Sequence, residues 1–140
     1  MMDTVGLKKQ LHNKGLKMTR PRWAILEILT GETEWMSAKD LHEKLSQTHP
    51  IDFSTVCRNL DTLTVTNILC RVDRDNNGSF AYRWPETNRH HHHLICRSCG
   101  KISPMEYCPL NQLATNLTKG FSELECRFEV YGTCNECRIK

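Results

Sequence analysis

The sequence predicts an α+β fold, in which an N-terminal winged helix-turn-helix is followed by a small α/β half, and three observations support this. The first 65 residues contain four apolar, helix-periodic stretches, each preceded by a capping residue. Two strand-like runs then flank an Asn-Gly pair, a strong signal of a tight hairpin turn. The remaining residues carry two Cys-x-x-Cys pairs among further strand patterns.

Four helices are predicted in the first half from their caps and from the spacing of apolar residues. In "RPRWAILEILTG" a proline in the first turn favours helix initiation, and the glycine ends the helix. In "SAKDLHEKLSQTHP", Leu41 and Leu45 lie at i,i+4 on one face. The predicted caps are Asp3 or Thr4, Thr19, Ser37 and Ser54.

The runs "ILCRVD" and "SFAYRW" are predicted strands that "RDNNG" joins as a hairpin. A hairpin after several short helices is the wing of a winged helix-turn-helix, whose last helix enters the major groove of DNA. The stretch from Lys8 to Arg22 holds six basic residues and no acidic one, as phosphate binding requires. An ordinary solvated helix face explains that stretch equally well.

Proline and polar residues in "WPETNR" mark a boundary between two domains. We predict a winged-helix domain at 1–84, a hinge at 85–89 and a small α/β domain at 90–140. The last domain should contain a strand through Ile95, a second at "GKISPM", a helix from Cys108 and a final alternating strand, "ELECRFEVY". At about 50 residues it has too little core to stand alone, so a metal or a second subunit should add stability.

Eight cysteines need an explanation other than disulfides, because the chain has no signal-peptide pattern and no membrane-length apolar run and is expected in the cytoplasm. Two pairs, Cys96 with Cys99 and Cys134 with Cys137, have the spacing of a tetrahedral zinc site without an open position. A thioredoxin-like redox pair and an iron–sulfur cluster are the alternatives. Two pairs without a βαβ pattern favour structural zinc.

The run "HHHHLIC" is internal, so it is not a purification tag. In an extended strand, His91 and His93 point to one side and His90 and His92 to the other, so the run can serve two metal sites. A polar strand edge is the alternative. Cys70, on the first wing strand, could complete a site with His91 and His93.

Cys126, on the predicted last strand, could join His90 and His92 in a further site. Its apolar neighbours also fit a plain buried cysteine. Cys108, at a helix start, is interpreted as a packing residue. Cys57 is interpreted as a small core or groove-facing residue of the fourth helix.

Two other classes of protein fit the motifs less well. Zinc deaminases need H-x-E and metalloproteases need H-E-x-x-H on a helix, and the sequence has neither. The chain is therefore not expected to be an enzyme. A metal-storage or metal-chaperone role would leave the winged-helix half unexplained.

With these motifs in order, the sequence resembles the ferric uptake regulator (Fur) family over nearly its whole length, and within it the zinc uptake regulator (Zur) branch most. The resemblance rests on "GLKMTRPR", "SAKDLHEKL", "FSTVCRNLDTL", "HHHHLICRSCGK", "CPLNQL" and "FEVYGTCNEC". It implies a homodimeric regulator that binds a double-stranded DNA operator and is usually a metal-activated repressor. Residues 90–140 would form the dimerisation and metal-binding domain, with no membrane partner and no small-molecule substrate beyond metal ions.

The resemblance also implies roles for individual residues. The structural zinc ligands would be Cys96, Cys99, Cys134 and Cys137. The regulatory metal ligands would be Cys70, His91 and His93, and those of a further site His90, His92 and Cys126. The predicted DNA contacts are Lys17, which would reach the minor groove, Arg20, Ser54, Thr55 and Arg58, which would lie on the recognition helix.

Departures from the family pattern bear on the metal. Cys57 replaces a tyrosine that would contact base methyl groups, and Ala81 and Pro104 stand where carboxylate ligands are expected. Losing hard oxygen ligands favours zinc, nickel, cobalt or copper over iron(II) and manganese. We therefore predict a zinc-dependent repressor of metal uptake genes that binds one structural zinc and a second, regulatory divalent metal, also expected to be zinc. The alternative is a Fur-family regulator with a degenerate sensor site that responds to another metal (Fe, Mn or Ni) or to thiol oxidation.

Overall fold

The structure is a computed structural model that describes residues 4–75, 77–85, 90–113 and 115–139. These residues form α1 (Thr4–Asn13), α2 (Arg20–Thr30), α3 (Ala38–Ser46), α4 (Phe53–Val65), β1 (Cys70–Asp73), β2 (Phe80–Arg83), β3 (His92–Cys96), β4 (Ile102–Met105), β5 (Glu129–Gly132) and α5 (Asn135–Arg138). Short 3₁₀ turns at Pro109–Gln112 and Thr115–Leu117 precede β5. The longest described helix, α4, has 13 residues, and no described helix is long and apolar enough to cross a membrane.

The chain divides into two compact units, unit 1 at Met1–Glu86 and unit 2 at Thr87–Lys140. Helices with a two-stranded sheet form the first unit, and a three-stranded sheet forms the second, so the predicted α+β class is confirmed. Of the predicted hinge at 85–89, residues 86–89 lie outside the described part of the chain. The functional roles assigned to the two halves stay predictions.

Two predicted helix caps of unit 1 are confirmed. The side chain of Thr19 accepts a hydrogen bond from the backbone N–H of Arg22 at 3.4 Å, and α2 begins with a proline in its first turn. The side chain of Ser37 accepts from the backbone N–H of Asp40 at 3.1 Å. Both bonds satisfy N–H groups that have no partner within the helix.

The predicted cap of α4 is wrong. The N-cap is Asp52, whose backbone is extended and whose carboxylate accepts from the backbone N–H of Thr55. Ser54 lies inside the first helical turn, and its hydroxyl donates to the Asp52 carboxylate. The Asp52 carboxylate also accepts hydrogen bonds from the hydroxyls of Ser54 and Thr55, and its negative charge lies at the positive end of the helix, so the helix begins at Asp52.

Unit 1 has one apolar core, to which all four of its helices contribute. Leu41 and Leu45 of α3 are buried, as their i,i+4 spacing predicts, and so are Val56, Leu60 and Leu63 of α4. Fully burying a leucine side chain contributes about 1.5–3 kcal/mol. This core fixes α4 against α2 and α3 and leaves Ser54 and Arg58 exposed on the opposite side of the helix.

The predicted hairpin follows α4. β1 and β2 pair antiparallel, with Cys70 opposite Arg83 and Asp73 opposite Phe80. Within the connection, Asn76 lies outside the described residues, and Gly78 has φ +91°, a conformation that favours glycine. The Asp73 carboxylate accepts from the Gly78 backbone N–H, which closes the turn.

Unit 2 is built on a three-stranded sheet in the order β4-β3-β5. β3 pairs antiparallel with β4 and parallel with β5. The parallel pair places His93 beside Glu129 and Cys96 beside Gly132. The first Cys-x-x-Cys motif starts at the last residue of β3, and the second starts two residues after β5 ends, so the parallel pairing brings them to the same end of the sheet.

Two elements of unit 2 differ from the prediction. The expected helix from Cys108 is a pair of 3₁₀ turns, the first of which starts at Pro109. The expected strand "ELECRFEVY" shrinks to Glu129–Gly132. Glu123 has φ +54°, which no strand residue adopts. β3, the strand that β5 pairs with, begins only at His92, so earlier residues have no ladder to join.

The buried part of unit 2 is small. Among its described residues only His92, His93, Ile95 and Cys96 have buried side chains. Two imidazoles and a thiol thus make up most of the buried side chains of unit 2, whereas apolar side chains fill the core of unit 1. Apolar burial alone is therefore too small to stabilise this unit, as the predicted need for a metal or a second subunit requires.

Candidate metal centres and nucleic-acid interface

Four cysteine sulfurs meet at one end of the unit 2 sheet. The Sγ atoms of Cys96, Cys99, Cys134 and Cys137 all lie within 4.8 Å of one another. The Sγ atoms of Cys99 and Cys134 are 3.7 Å apart, far longer than a disulfide bond. Two sulfurs about 2.3 Å from one tetrahedral zinc ion would be about 3.8 Å apart. The donor set and this spacing therefore fit a closed structural zinc site.

Backbone geometry around the four-cysteine cluster prepares it for a cation. Cys96 ends β3, and Cys134 is the N-cap residue of α5. Hydrogen bonds from the backbone N–H groups of Cys134 and then Cys99 lower the pKa of the Cys96 thiol to about 6. Hydrogen bonds to Cys134 and then Cys99 raise the pKa of Cys137 to about 12. Once one thiolate has formed, its negative charge disfavours ionisation of the neighbouring thiols. A bound divalent cation neutralises these charges and so favours the thiolate forms.

The histidine run alternates as the strand pattern predicts. The rings of His91 and His93 are 4.7 Å apart between centroids, and so are those of His90 and His92. Cys70, the third predicted regulatory ligand, lies on β1 of unit 1, where burial raises the pKa of its thiol to about 11. Because Cys70 belongs to unit 1 and the histidines to unit 2, the regulatory ligand set stays a prediction.

A second cluster lies within unit 2 and includes a residue that the sequence did not point to. Ligand atoms of His90, His92 and Cys108 all lie within 4.8 Å of one another. Cys126, the predicted partner of the two histidines, forms a hydrogen bond with the Cys108 thiol. Cys108 was interpreted as a packing residue because its position, before a proline and outside any Cys-x-x-Cys pair, carries no metal signature.

The first two turns of α4 carry three of the predicted DNA contacts, Ser54, Thr55 and Arg58, in one hydrogen-bonded group. The Thr55 hydroxyl donates to Asp52 Oδ1 at 2.6 Å and accepts from Arg58 Nη2 at 3.2 Å. Ser54 also donates to Asp52, and these two hydroxyls, Ser54 before Thr55, lower the pKa of that carboxyl to about 2. Asp52 therefore stays ionised and orients the residues that face solvent here.

The basic segment before α2 is fastened to α4 by Arg22. Its Nη1 donates to the Lys17 carbonyl at 2.9 Å, and its Nε donates to Asn59 Oδ1 at 3.0 Å. Asn59 in turn donates to the Thr55 carbonyl at 2.9 Å. Arg22 is thus a bracing residue, whereas the side chains of Lys17 and Arg20 are exposed. The predicted DNA contacts include Lys17 and Arg20 but not Arg22, and the bracing role of Arg22 has no signature in the sequence.

Comparison with known proteins points to one family. Residues 13–131 match the family model described as the ferric uptake regulator family. The chain is 34% identical over 138 residues to the ferric uptake regulation protein of Staphylococcus aureus, with 98% of this chain and 99% of that protein covered. A relative of the same name from Staphylococcus epidermidis is 34% identical over 140 residues, with 99% of each chain covered.

Two solved structures have the same fold. The ferric uptake regulator from Francisella tularensis, determined with iron, matches 89% of this chain and 96% of its own with a TM-score of 0.65 and 28% identity. The regulator from Vibrio cholerae matches 91% of this chain and 99% of its own, with a TM-score of 0.62 and 28% identity.

Proposed function

Because the chain belongs to the ferric uptake regulator family, we propose that this metal-responsive transcription regulator is a zinc-dependent repressor of metal uptake genes. Members of the family are transcription regulators, so the chain is not an enzyme. The observation that carries the choice of zinc is the donor set of unit 2. Among the residues that the structure describes, its two clusters contain cysteine and histidine ligands and no carboxylate.

The donor set separates zinc from iron and manganese. Thiolate and imidazole ligands suit zinc and its borderline neighbours, whereas manganese prefers carboxylate and water oxygens. Ala81 and Pro104 stand where the family resemblance expects carboxylates, and Ala81 is fully buried in unit 1. The relatives named above carry the name of the iron regulator, whereas the cysteine and histidine ligands of this chain favour zinc.

We assign structural zinc to Cys96, Cys99, Cys134 and Cys137. A bound zinc ion would neutralise the thiolates and tie the end of β3 to the start of α5. The protein contributes the two parallel strands that bring the motifs together and the N–H groups that favour the Cys96 thiolate. We assign regulatory zinc to Cys70, His91 and His93, whose occupancy would signal cellular zinc to the DNA-binding half.

Operator DNA would be read by α4, whose first two turns carry the exposed Ser54 and Arg58 and the half-buried Thr55. The Asp52 carboxylate holds the two hydroxyls, and Thr55 holds Arg58. Lys17 and Arg20, on the segment that Arg22 braces against α4, would meet phosphates. An arginine at a base edge specifies sequence, whereas lysines at phosphates position the protein.

A homodimer formed through unit 2 is supported by its exposed apolar side chains. Leu94 of β3 and Val130 of β5 are cross-strand neighbours, and both are exposed. Leu117 and Phe121, between β4 and β5, are more than 70% exposed. Apolar surface of this extent is typical of a protein interface. A dimer of such a regulator, working on operator DNA in the cytoplasm, would present two α4 helices to two half-sites.

The proposal is tested by DNA affinity as a function of free metal. A duplex selected from a random pool with the zinc-loaded protein serves as the probe, and fluorescence anisotropy measures its binding. Zinc should tighten binding at least about 10-fold, within the usual range of allosteric coupling. His91→Ala/His93→Ala should lose the zinc response, whereas Arg58→Ala should lose DNA affinity but bind the same amount of zinc. Equal affinity with zinc and with chelator, or a stronger response to iron(II) or manganese, would contradict the proposal.

The alternative, a response to thiol oxidation, has a specific difficulty. Cys57, on the recognition helix, is the thiol best placed to affect DNA binding directly. Burial and then the charge of Asp61 raise its pKa, so the thiol is protonated at neutral pH. Oxidation proceeds through the thiolate, which makes Cys57 a poor sensor. The metal response is therefore the function that these residues support best.

A further inference from the structure

We propose that Cys108 and Cys126 join His90 and His92 as the four ligands of a second zinc site within unit 2. This site is separate from the proposed regulatory function, because it needs neither DNA nor any residue of unit 1. Sequence and family pattern pointed to the two histidines with Cys126. The new element is Cys108, which makes the donor set two imidazoles and two thiolates.

The two histidines already have the spacing of metal ligands. Their Nε2 atoms face each other at 3.2 Å. Two nitrogens about 2.05 Å from one tetrahedral zinc ion would be about 3.3 Å apart. A ligand atom of each histidine and the Cys108 sulfur all lie within 4.8 Å of one another, so three ligands can reach one ion with small adjustments.

His92 is held in place by contacts that leave Nε2 pointing at His90. Its ring is buried and stacks on Phe128, with centroids 3.9 Å apart and planes 22° apart. The imidazole also hydrogen-bonds to the backbone of Phe128. Such a bond from a ligand histidine to a backbone group is the usual outer support of a zinc site, because it fixes the ring orientation.

The two cysteines arrive from segments whose structure departs from regular helix and strand. Cys108 occupies the N-cap position before Pro109, yet its side chain makes no capping hydrogen bond. Cys126 lies in the stretch that fails to extend β5, and its thiol bonds to the Cys108 thiol. Cys108 does not cap its helix, and Cys126 lies in a segment outside β5, yet their thiols meet beside the two histidines. A shared role as metal ligands explains both positions.

The donor set selects the metal. Two thiolates and two imidazoles form one of the usual tetrahedral zinc sets, without an open coordination position. Hard cations such as magnesium and manganese prefer oxygen ligands, and this cluster of described residues offers only nitrogen and sulfur. An ion held by these residues would also tie β3 to the segment between β4 and β5, which carries the exposed Leu117 and Phe121. Occupancy would therefore order the apolar surface assigned to the dimer.

The test counts metal in the full-length chain with the predicted regulatory ligands removed by Cys70→Ala and His91→Ala. After zinc loading under a thiol reductant and removal of loosely bound metal, zinc per chain is measured. This background chain should retain two ions, and adding Cys108→Ala or Cys126→Ala should leave one. Adding Cys57→Ala, a thiol of unit 1, is the matched control and should leave two. Two ions after Cys108→Ala would overturn the proposal.

Cobalt substitution tests the proposal even if the Cys108→Ala or Cys126→Ala variant fails to fold, because it uses the background chain alone. Thiolate-to-cobalt charge-transfer absorption of the cobalt-saturated background chain should report six bound thiolates, four from the four-cysteine site and two from the proposed one. Absorption corresponding to four thiolates would overturn the proposal without any further variant. Neither measurement uses DNA, and the His91→Ala/His93→Ala test of the regulator leaves these four ligands intact, so failure of one proposal is distinguishable from failure of the other.

Discussion

At the level of single residues, the Asp52 carboxylate determines how α4 begins. Its pKa of about 2 lies below the ordinary 3.8, so ionised Asp52 stabilises the folded state above about pH 4. That contribution is lost as the pH falls from about 4 to about 2. We expect Asp52→Ala to lower the thermal midpoint at pH 7 and to reduce this acid-induced loss, as followed by circular dichroism. Glu43→Gln, an exposed carboxylate of α3, is the control, and an equal effect there would contradict the assignment.

The same residues indicate what sequence can predict at this scale. Asp52 and Ser54 both belong to the capping residue types and stand two positions apart, so propensity alone does not choose between them. The alternation of the histidine run follows from strand geometry and was predictable. Cys108 was not, because it reaches the histidines through a non-helical turn that leaves no periodic trace in the sequence.

At the level of elements, α4 depends on its buried face. Leu60 is fully buried, whereas Val65 on the same helix is 65% exposed. Leu60→Ala should therefore destabilise unit 1 by about 2–5 kcal/mol, because it leaves a cavity that neighbouring side chains fill only in part. Val65→Ala is the matched control and should change stability by less than about 0.5 kcal/mol. Urea unfolding followed by circular dichroism measures both, and comparable losses would contradict this account of the core.

The helices of unit 1 were predictable because caps and i,i+4 apolar spacing are local properties that agree with the packing. The final strand was not, although Leu124, Cys126, Phe128 and Val130 alternate cleanly. A strand also needs a partner, and β3 offers one only from His92 onward. The local alternation therefore predicted the strand correctly at its C-terminal end but placed its first residue too early in the chain.

At the level of the whole molecule, the two units should respond differently to loss of metal. Unit 1 carries a continuous apolar core, whereas unit 2 buries only His92, His93, Ile95 and Cys96 among its described residues. A chelator strong enough to remove zinc from the four cysteines should therefore unfold unit 2 and leave unit 1 folded, since metal binding and folding are coupled. Hydrogen exchange with mass spectrometry on the full chain should show fast exchange across β3, β4 and β5 and continued protection of α2 and α4.

Cys134→Ala should reproduce this pattern without chelator, because three thiolates no longer close the tetrahedral site. Cys57→Ala, which removes a thiol from unit 1, should leave the exchange of unit 2 unchanged. Loss of protection in both units at the same chelator concentration would mean that they unfold as one cooperative body. Protection of β3 and β5 after complete zinc removal would mean instead that apolar contacts or a second subunit hold unit 2 together. The first result would contradict the independent stability of unit 1, and the second would contradict a structural role for zinc at the four cysteines.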